Sequence, residues 1–270
     1  MRADTPHAQV LLLAAIQGSG RYVCPKCQGG TLSERSLYLC VSPTGAPGWL
    51  CFRASCGFSG GNPAGATSAV VRQEPRHYTR PYKPLTEQQK RLIEQRFGLP
   101  ATSVDGYSES NDRFVLPVFG PVGYQKRGII AYSLSGDTPK SLNYKELTDL
   151  PFIHYSIPSQ GKLPLVIVED WFSAEKVAAT HAAIGVSIMG THLGVSHIEE
   201  ISALAMERAS SCVIALDQDA YAKSINYVAR YREQFPNGLS VWHLNTDLKY
   251  ESIERIKAAL DGKTNLSGTH

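Results

Sequence analysis

Leu165-Val166-Ile167-Val168-Glu169 and Cys212-Val213-Ile214-Ala215-Leu216-Asp217-Gln218-Asp219 are two short apolar runs that each end on a carboxylate. Continuous rather than alternating, they have the pattern of strands buried on both faces. Ile184 to Met189 and Leu239 to Leu244 read the same way, and three helix-length segments lie between the four runs. Strands alternating with helices predict right-handed crossovers and a parallel sheet, with functional groups at the carboxyl ends of its strands. Glu169 and Asp217 stand at two such ends. Asp217 and Asp219, two apart in a segment read as extended, are expected to project to the same side.

Toward the N-terminus the pattern changes. Arg113 to Leu116 and Gly128 to Leu134 are β-rich runs separated by Pro117, Gly120, Pro121 and Gly123, the punctuation of strands joined by turns. Leu85 to Phe97 has helical spacing, opened by Thr86-x-x-Gln89 as a capping box and closed by Gly98 and Pro100. This block reads as a mixed α+β unit. Before it, Gly60 to Ser68 is polar and flexible, a linker reaching to about Pro84. The predicted organisation is 1–61, a small β module; 62–84, linker; 85–162, a basic subdomain; and 163–270, the α/β domain with the parallel sheet.

With 270 residues and 43% hydrophobic content the chain can bury the core of one large domain or of two modest ones. A formal net charge of +3 is too small to make the whole protein a polyanion binder, but the charge is uneven. Arg72 to Arg96 carries seven basic and three acidic residues, and Leu163 to Asp219 eight acidic and two basic. That suits a basic cradle beside an acidic metal site. The apolar start Val10 to Ile16 is too short to span a membrane and lacks the flanks of a signal peptide. A soluble protein of a reducing compartment, the cytoplasm, is expected.

Five of the six cysteines lie between positions 24 and 56. Cys24-Pro25-Lys26-Cys27 is a CxxC knuckle, and Cys51 and Cys56 form a second, wider pair, with 23 residues between Cys27 and Cys51. Two such pairs predict a tetrahedral four-thiolate zinc site, with Cys40 as competitor for the place of Cys51. Cys212, alone in an apolar strand, reads as a small buried hydrophobe. Trp49, Phe52, Arg53 and Phe58 surround the second pair. Rings interleaved with arginine can stack single-stranded bases, or the rings can fill the module's small core.

Glu169, Asp217 and Asp219, gathered at neighbouring strand ends, would repel one another unless a divalent cation sat between them, as magnesium-dependent phosphoryl transfer requires. Asp247 is a candidate fourth ligand. A DxD after an apolar strand is common as a solvated loop or cap, and the strand-terminal Glu169 is what raises its weight.

Val166-Ile167-Val168-Glu169, Ser187-Ile188-Met189-Gly190-Thr191 and Ala215-Leu216-Asp217-Gln218-Asp219 resemble the successive signatures of the TOPRIM domain shared by primases, topoisomerases and some nucleases. The cysteine module, Arg113 to Pro117, Gly123 to Arg127 and Pro139-Lys140-Ser141-Leu142-Asn143-Tyr144 resemble bacterial and bacteriophage DNA primases in particular. The resemblance covers nearly the whole chain. It implies a zinc ribbon joined to a TOPRIM catalytic domain that makes short RNA primers on single-stranded DNA from ribonucleoside triphosphates. It also implies structural zinc on Cys24, Cys27, Cys51 and Cys56, and magnesium or manganese on Glu169, Asp217 and Asp219. Arg113, Lys126, Arg127, Lys140 and Asn143 would bind nucleotide and template, and Trp49 and Arg53 would read the template. Asp170 stands where many members have glycine and Ser173 where many have aspartate. No GxxxxGK[ST] phosphate loop occurs, so a separate replicative helicase is the expected partner. Two rivals share these motifs: a TOPRIM nuclease and a recombination mediator of the RecR type. In the latter the zinc knuckles abut the TOPRIM domain, whereas here more than a hundred residues separate Cys56 from Glu169.

Overall fold

A computed structural model of the chain describes residues 5–30, 33–41, 45–51, 53, 56–61, 78–121, 125–135, 139–147, 150–158 and 161–262. Most of the expected linker, residues 62–77, lies outside them, as do Phe52 and Gly123. The chain divides into two compact units, Met1–Gln73 and Glu74–His270.

In the first unit, α1 (Pro6–Gln17) begins at Thr5, whose hydroxyl accepts from the Ala8 amide, and stops at Gly18. The apolar start of the chain is therefore a helix, which its composition alone did not disclose. A four-stranded antiparallel sheet follows in the order β1 (Gly20–Tyr22), β2 (Leu37–Val41), β3 (Pro47–Cys51), β4 (Ser59–Gly60). Alternation along β2 and β3 sends Leu37, Leu39, Trp49 and Cys51 inward, where they meet Val10 of α1 and Phe58. Tyr38 and Leu50, paired across the same strands, face outward.

The second unit opens with α2 (Glu87–Phe97), whose capping box is formed in both directions between Thr86 and Gln89 and which ends on left-handed Gly98. An antiparallel sheet follows: β5 (Gly106–Ser108), β6 (Arg113–Phe119), β7 (Lys126–Tyr132) and β8 (Ser141–Lys145). β6 runs straight through Pro117, which the sequence pattern takes as a break. β5 pairs with β6 only as far as Val115, so at Pro117 one edge has no strand partner and a missing amide is tolerated there. The Pro117 carbonyl at that edge accepts the Trp171 indole N–H at 2.7 Å.

The last part contains β9 (His154–Ser156), β10 (Leu163–Val168), α3 (Trp171–Ala179), β11 (Ile184–Ser187), α4 (Val195–Arg208), β12 (Ala209–Ala215), α5 (Tyr221–Tyr231), β13 (Leu239–Val241) and α6 (Ile253–Leu260). Strand order is β13-β12-β10-β11-β9, with β10, β11, β12 and β13 parallel and β9 antiparallel at the edge. The predicted parallel sheet flanked by helices is present, and β9 is an added edge strand. α3 lies so close on β11 that a Cβ at Gly185 would collide with the Ala174 carbonyl. Phe97 of α2 stacks on Phe172 of α3 with ring centroids 3.8 Å apart, inside a core that also takes Leu116, Ile130 and Trp171. Burying a ring of that size contributes about 1.5–3 kcal/mol, which ties the start of α3 to the antiparallel sheet. No helix among the described residues is long and apolar enough to cross a membrane.

Candidate metal centre and acidic site

In the first unit Cys24, Cys27, Cys51 and Cys56 converge, their sulfurs all within 4.8 Å of one another. Sγ–Sγ distances are 3.8 Å for Cys24 to Cys56 and 3.8 Å for Cys27 to Cys51. Thiolates about 2.3 Å from a tetrahedral zinc ion are roughly 3.8 Å apart, so the donor set fits zinc in both softness and size. Burial, followed by hydrogen bonding with the neighbouring thiols, pushes Cys56 up to about 12. Such a thiol gives up its proton to a metal rather than to water. Cys40 is exposed on β2 and takes no part.

In the second unit the ends of β10, β11 and β12 form one edge. Glu169 follows β10, and its main-chain carbonyl accepts from Ser187 Oγ at 3.1 Å and from the Gly190 amide at 2.9 Å, which pins it to the end of β11. Gly190 turns there with φ +138°, a backbone conformation that favours glycine. Asp217 follows β12 and leads a 3₁₀ turn, Gln218–Ala220, its carbonyl accepting from the Ala220 amide at 2.8 Å. The pair at 217 and 219 is thus in a tight turn, and strand alternation does not apply to it. Asp219 is exposed and Asp217 half-buried.

Three further groups complete the cluster. Asp170 caps α3, accepting from the Ser173 amide at 3.1 Å and the Ser173 hydroxyl at 2.9 Å. The two departures from the TOPRIM pattern, Asp170 and Ser173, are therefore bonded to each other. Lys249 reaches in from the 3₁₀ turn Leu248–Tyr250 to Asp247 at 2.7 Å, Asp170 at 3.1 Å and Asp217 at 3.5 Å.

The electrostatics match this crowding. Burial, then the charges of Asp217, Asp219 and Asp170, push Glu169 up to about 8. Asp217 rises to about 7 through burial, aided by Asp247 and Asp170 and opposed by Lys249. Burial alone would pull the Lys249 ammonium down, yet Asp170, Asp217 and Asp247 hold it well above its ordinary value. Glu169 Oε2 is buried with no hydrogen-bond partner. A hard divalent cation wants such an oxygen, so the donor set fits magnesium or manganese. Among the described residues, however, the cysteines form the set of three or more ligand groups whose donor atoms all lie within 4.8 Å. The carboxylates act on one another's ionisation without forming so tight a set.

No family model matches the chain. Over 40 residues, 14% of this chain and 6% of the relative, it is 48% identical to the Twinkle homolog protein, chloroplastic/mitochondrial, of Arabidopsis thaliana. Solved structures similar to it include the DnaG primase catalytic domain bound to ssDNA, 17% identical with a TM-score of 0.42 over 63% of this chain and 61% of that one. The zinc-binding and RNA polymerase domains of Aquifex aeolicus primase are 14% identical, with a TM-score of 0.44 over 67% of this chain and 50% of that one. The E. coli primase catalytic core is 18% identical, with a TM-score of 0.43 over 69% of this chain and 67% of that one. The chain thus spans 6% of the length of its curated relative and 61% of the first of these structures.

Several residues expected to touch nucleic acid have other partners. Arg113, 5% exposed, donates to the carbonyls of Ala131, Pro139 and Lys140 and fastens β6 to the β7–β8 connection. Arg127, 4% exposed, donates to Glu200 at 2.6 Å and to the Pro151 carbonyl at 3.2 Å. As placed, both brace the fold. Burial is what the sequence could not report, because a basic residue in a β-rich run looks alike whichever face it takes. Trp49 is likewise core, 5.7 Å from the His7 ring and 6.0 Å from Phe58, and Arg53 pairs with Glu34 at 3.2 Å. Lys126 pairs with Asp105 at 2.8 Å. Lys140 and Asn143 are exposed, with the Lys140 ammonium 5.4 Å from the centre of the Tyr132 ring. Asp247 faces Lys249. The residue that sequence reasoning missed is Lys249 itself, whose only signal was its place two after Asp247.

Proposed function

We propose that this chain is a DNA primase, joining ribonucleotides on a single-stranded DNA template. What supports the reading is that Glu169 and Asp217 follow β10 and β12, with Asp217 and Asp219 near enough to act on the Glu169 carboxyl. There, burial and the neighbouring carboxylates make ionisation costly unless a cation is bound, and one Glu169 oxygen is unpartnered. An active site that moves a phosphoryl group between two anions needs such a place for cations and no protein nucleophile. Glu169, Asp217 and Asp219 are acceptors in this reading, and they would hold magnesium or manganese. A bound divalent ion supplies a lowered pKa for the attacking 3′-hydroxyl and neutralises charge on the phosphate oxygens. Lys140 and Asn143, exposed on and before β8, are the groups left to bind triphosphate or template. The zinc ribbon would contact the template, and a helicase would deliver it.

The test is incorporation of labelled ribonucleotides on single-stranded DNA with magnesium. Template-dependent products made by the wild type and absent from Asp217→Asn are expected. DNA cleavage without nucleotides, or binding with neither activity, overturns the reading in favour of a nuclease or a recombination mediator.

A further inference from the structure

Lys249 brings a positive charge into the place where the proposed chemistry wants cations. Its side chain is 10% exposed, and three carboxylates surround its nitrogen: Asp247 at 2.7 Å, Asp170 at 3.1 Å and Asp217 at 3.5 Å. Lysine ordinarily keeps its ammonium in water and buries only its stem. Here the backbone around it is fixed. Lys176, buried in α3, donates to the Lys249 carbonyl at 3.0 Å, and the Tyr250 and Glu251 amides close the turn on Asp247 and Leu248. Asp170 is fixed as well, since both its oxygens cap α3 through Ser173.

The five carboxylates therefore fall into two groups that share Asp217. Asp170, Asp217 and Asp247 surround the ammonium. Glu169, Asp217 and Asp219 form the second group, which meets the ammonium only through Asp217, and the unpartnered oxygen, Glu169 Oε2, belongs to it. An ammonium satisfied by three acceptors fills the room a second divalent ion would need. Paired ions in phosphoryl-transfer sites sit about 4 Å apart, and a fixed positive charge already paired with Asp217 opposes a second ion beside that carboxylate.

We propose that Lys249 is a resident cation that occupies one of the two cation positions these carboxylates can form, making this a single-ion site and positioning Asp217 for that ion. This rests on the reading that a divalent ion binds at Glu169, Asp217 and Asp219. The experiment titrates manganese into the zinc-loaded protein and counts bound ions by the paramagnetic signal of free manganese, with no nucleotide present. Wild type and Lys249→Arg are expected to saturate with a single ion, and Lys249→Met to take up a second. A second ion on wild type or Lys249→Arg overturns the proposal. So does a folded Lys249→Met that binds one ion as the wild type does. If Lys249→Met fails to fold, the other two proteins still decide. A wild type that binds no manganese overturns the underlying divalent reading too, whereas two ions on a protein that makes primers overturns this proposal alone.

Discussion

Both candidate sites gather groups of one kind, four thiols in the first unit and five carboxylates in the second, yet they are built on opposite terms. The four sulfurs lie in a hydrophobic core with Leu37, Leu39 and Phe58, two of their separations at the 3.8 Å that a tetrahedral zinc ion sets. The carboxylates are arranged differently. They raise one another's pKa values and recruit the one ammonium of Lys249. One zinc ion can satisfy four soft thiolates, whereas the hard carboxylates already balance part of their charge against an ammonium and would balance the rest against a divalent cation.

The most severe way to break the comparison is to remove a thiol. Cys56→Ser should abolish zinc binding by the ribbon, and with it about 10 kcal/mol of metal-coupled folding energy. Metal analysis and the loss of the first unit's melting transition would register it. Cys40→Ser should leave zinc content unchanged because Cys40 is exposed and outside the cluster. Zinc loss on that substitution would contradict the ligand assignment.

Next in size is removal of carboxylates from the second cluster. Replacing Asp217 and Asp219 together by alanine should lower primer synthesis by a factor of at least about 1,000, the scale of losing preorganised charge in a reacting site. Circular dichroism should show the fold retained, since neither side chain packs in the core. Full synthesis by the folded double variant would reject the acidic site.

How much of this could be read in advance differed between the two sites for the same physical reason. Zinc ligands come as short-range pairs with fixed spacing, so Cys24, Cys27, Cys51 and Cys56 are visible in sequence. The strands β10 to β13 are visible too, because burial on both faces leaves unbroken apolar runs. Asp170 and Lys249 were not visible as partners, since their contact joins positions 79 apart. Nor could the sequence separate Arg127, buried against Glu200, from Lys140, exposed beside Tyr132. Pattern gives periodicity, and it does not give the face a single polar residue takes when a neighbouring carboxylate can satisfy it.

A smaller effect sharpens the electrostatic half of the comparison. Glu169 has a folded value of about 8 against an ordinary 4.5, so the fold prefers its neutral form. That contribution is fully present below about pH 4.5 and is lost as pH rises through about 8. Glu169→Gln stays neutral throughout. In magnesium-free buffer it should match the wild type near pH 4 and exceed it by about 2 kcal/mol at pH 9, discounting for partial exposure. Thermal melts across that range check it. A wild-type curve that does not decline relative to the variant would mean that Glu169 is better solvated than its position suggests.

The smallest change tests whether Lys140 belongs to the acidic site's chemistry or only to the surface. Its ammonium lies over the Tyr132 ring and is exposed, so Lys140→Ala should alter stability by no more than about 0.5 kcal/mol. If it binds an anionic substrate, the variant should weaken single-strand or triphosphate binding several-fold. It should also reduce the salt dependence of template binding by roughly one phosphate contact. Fluorescence anisotropy with a labelled oligonucleotide at several salt concentrations separates the cases. An unchanged slope with unchanged affinity assigns Lys140 to solvation, and template contact then has to come from exposed groups elsewhere in the chain.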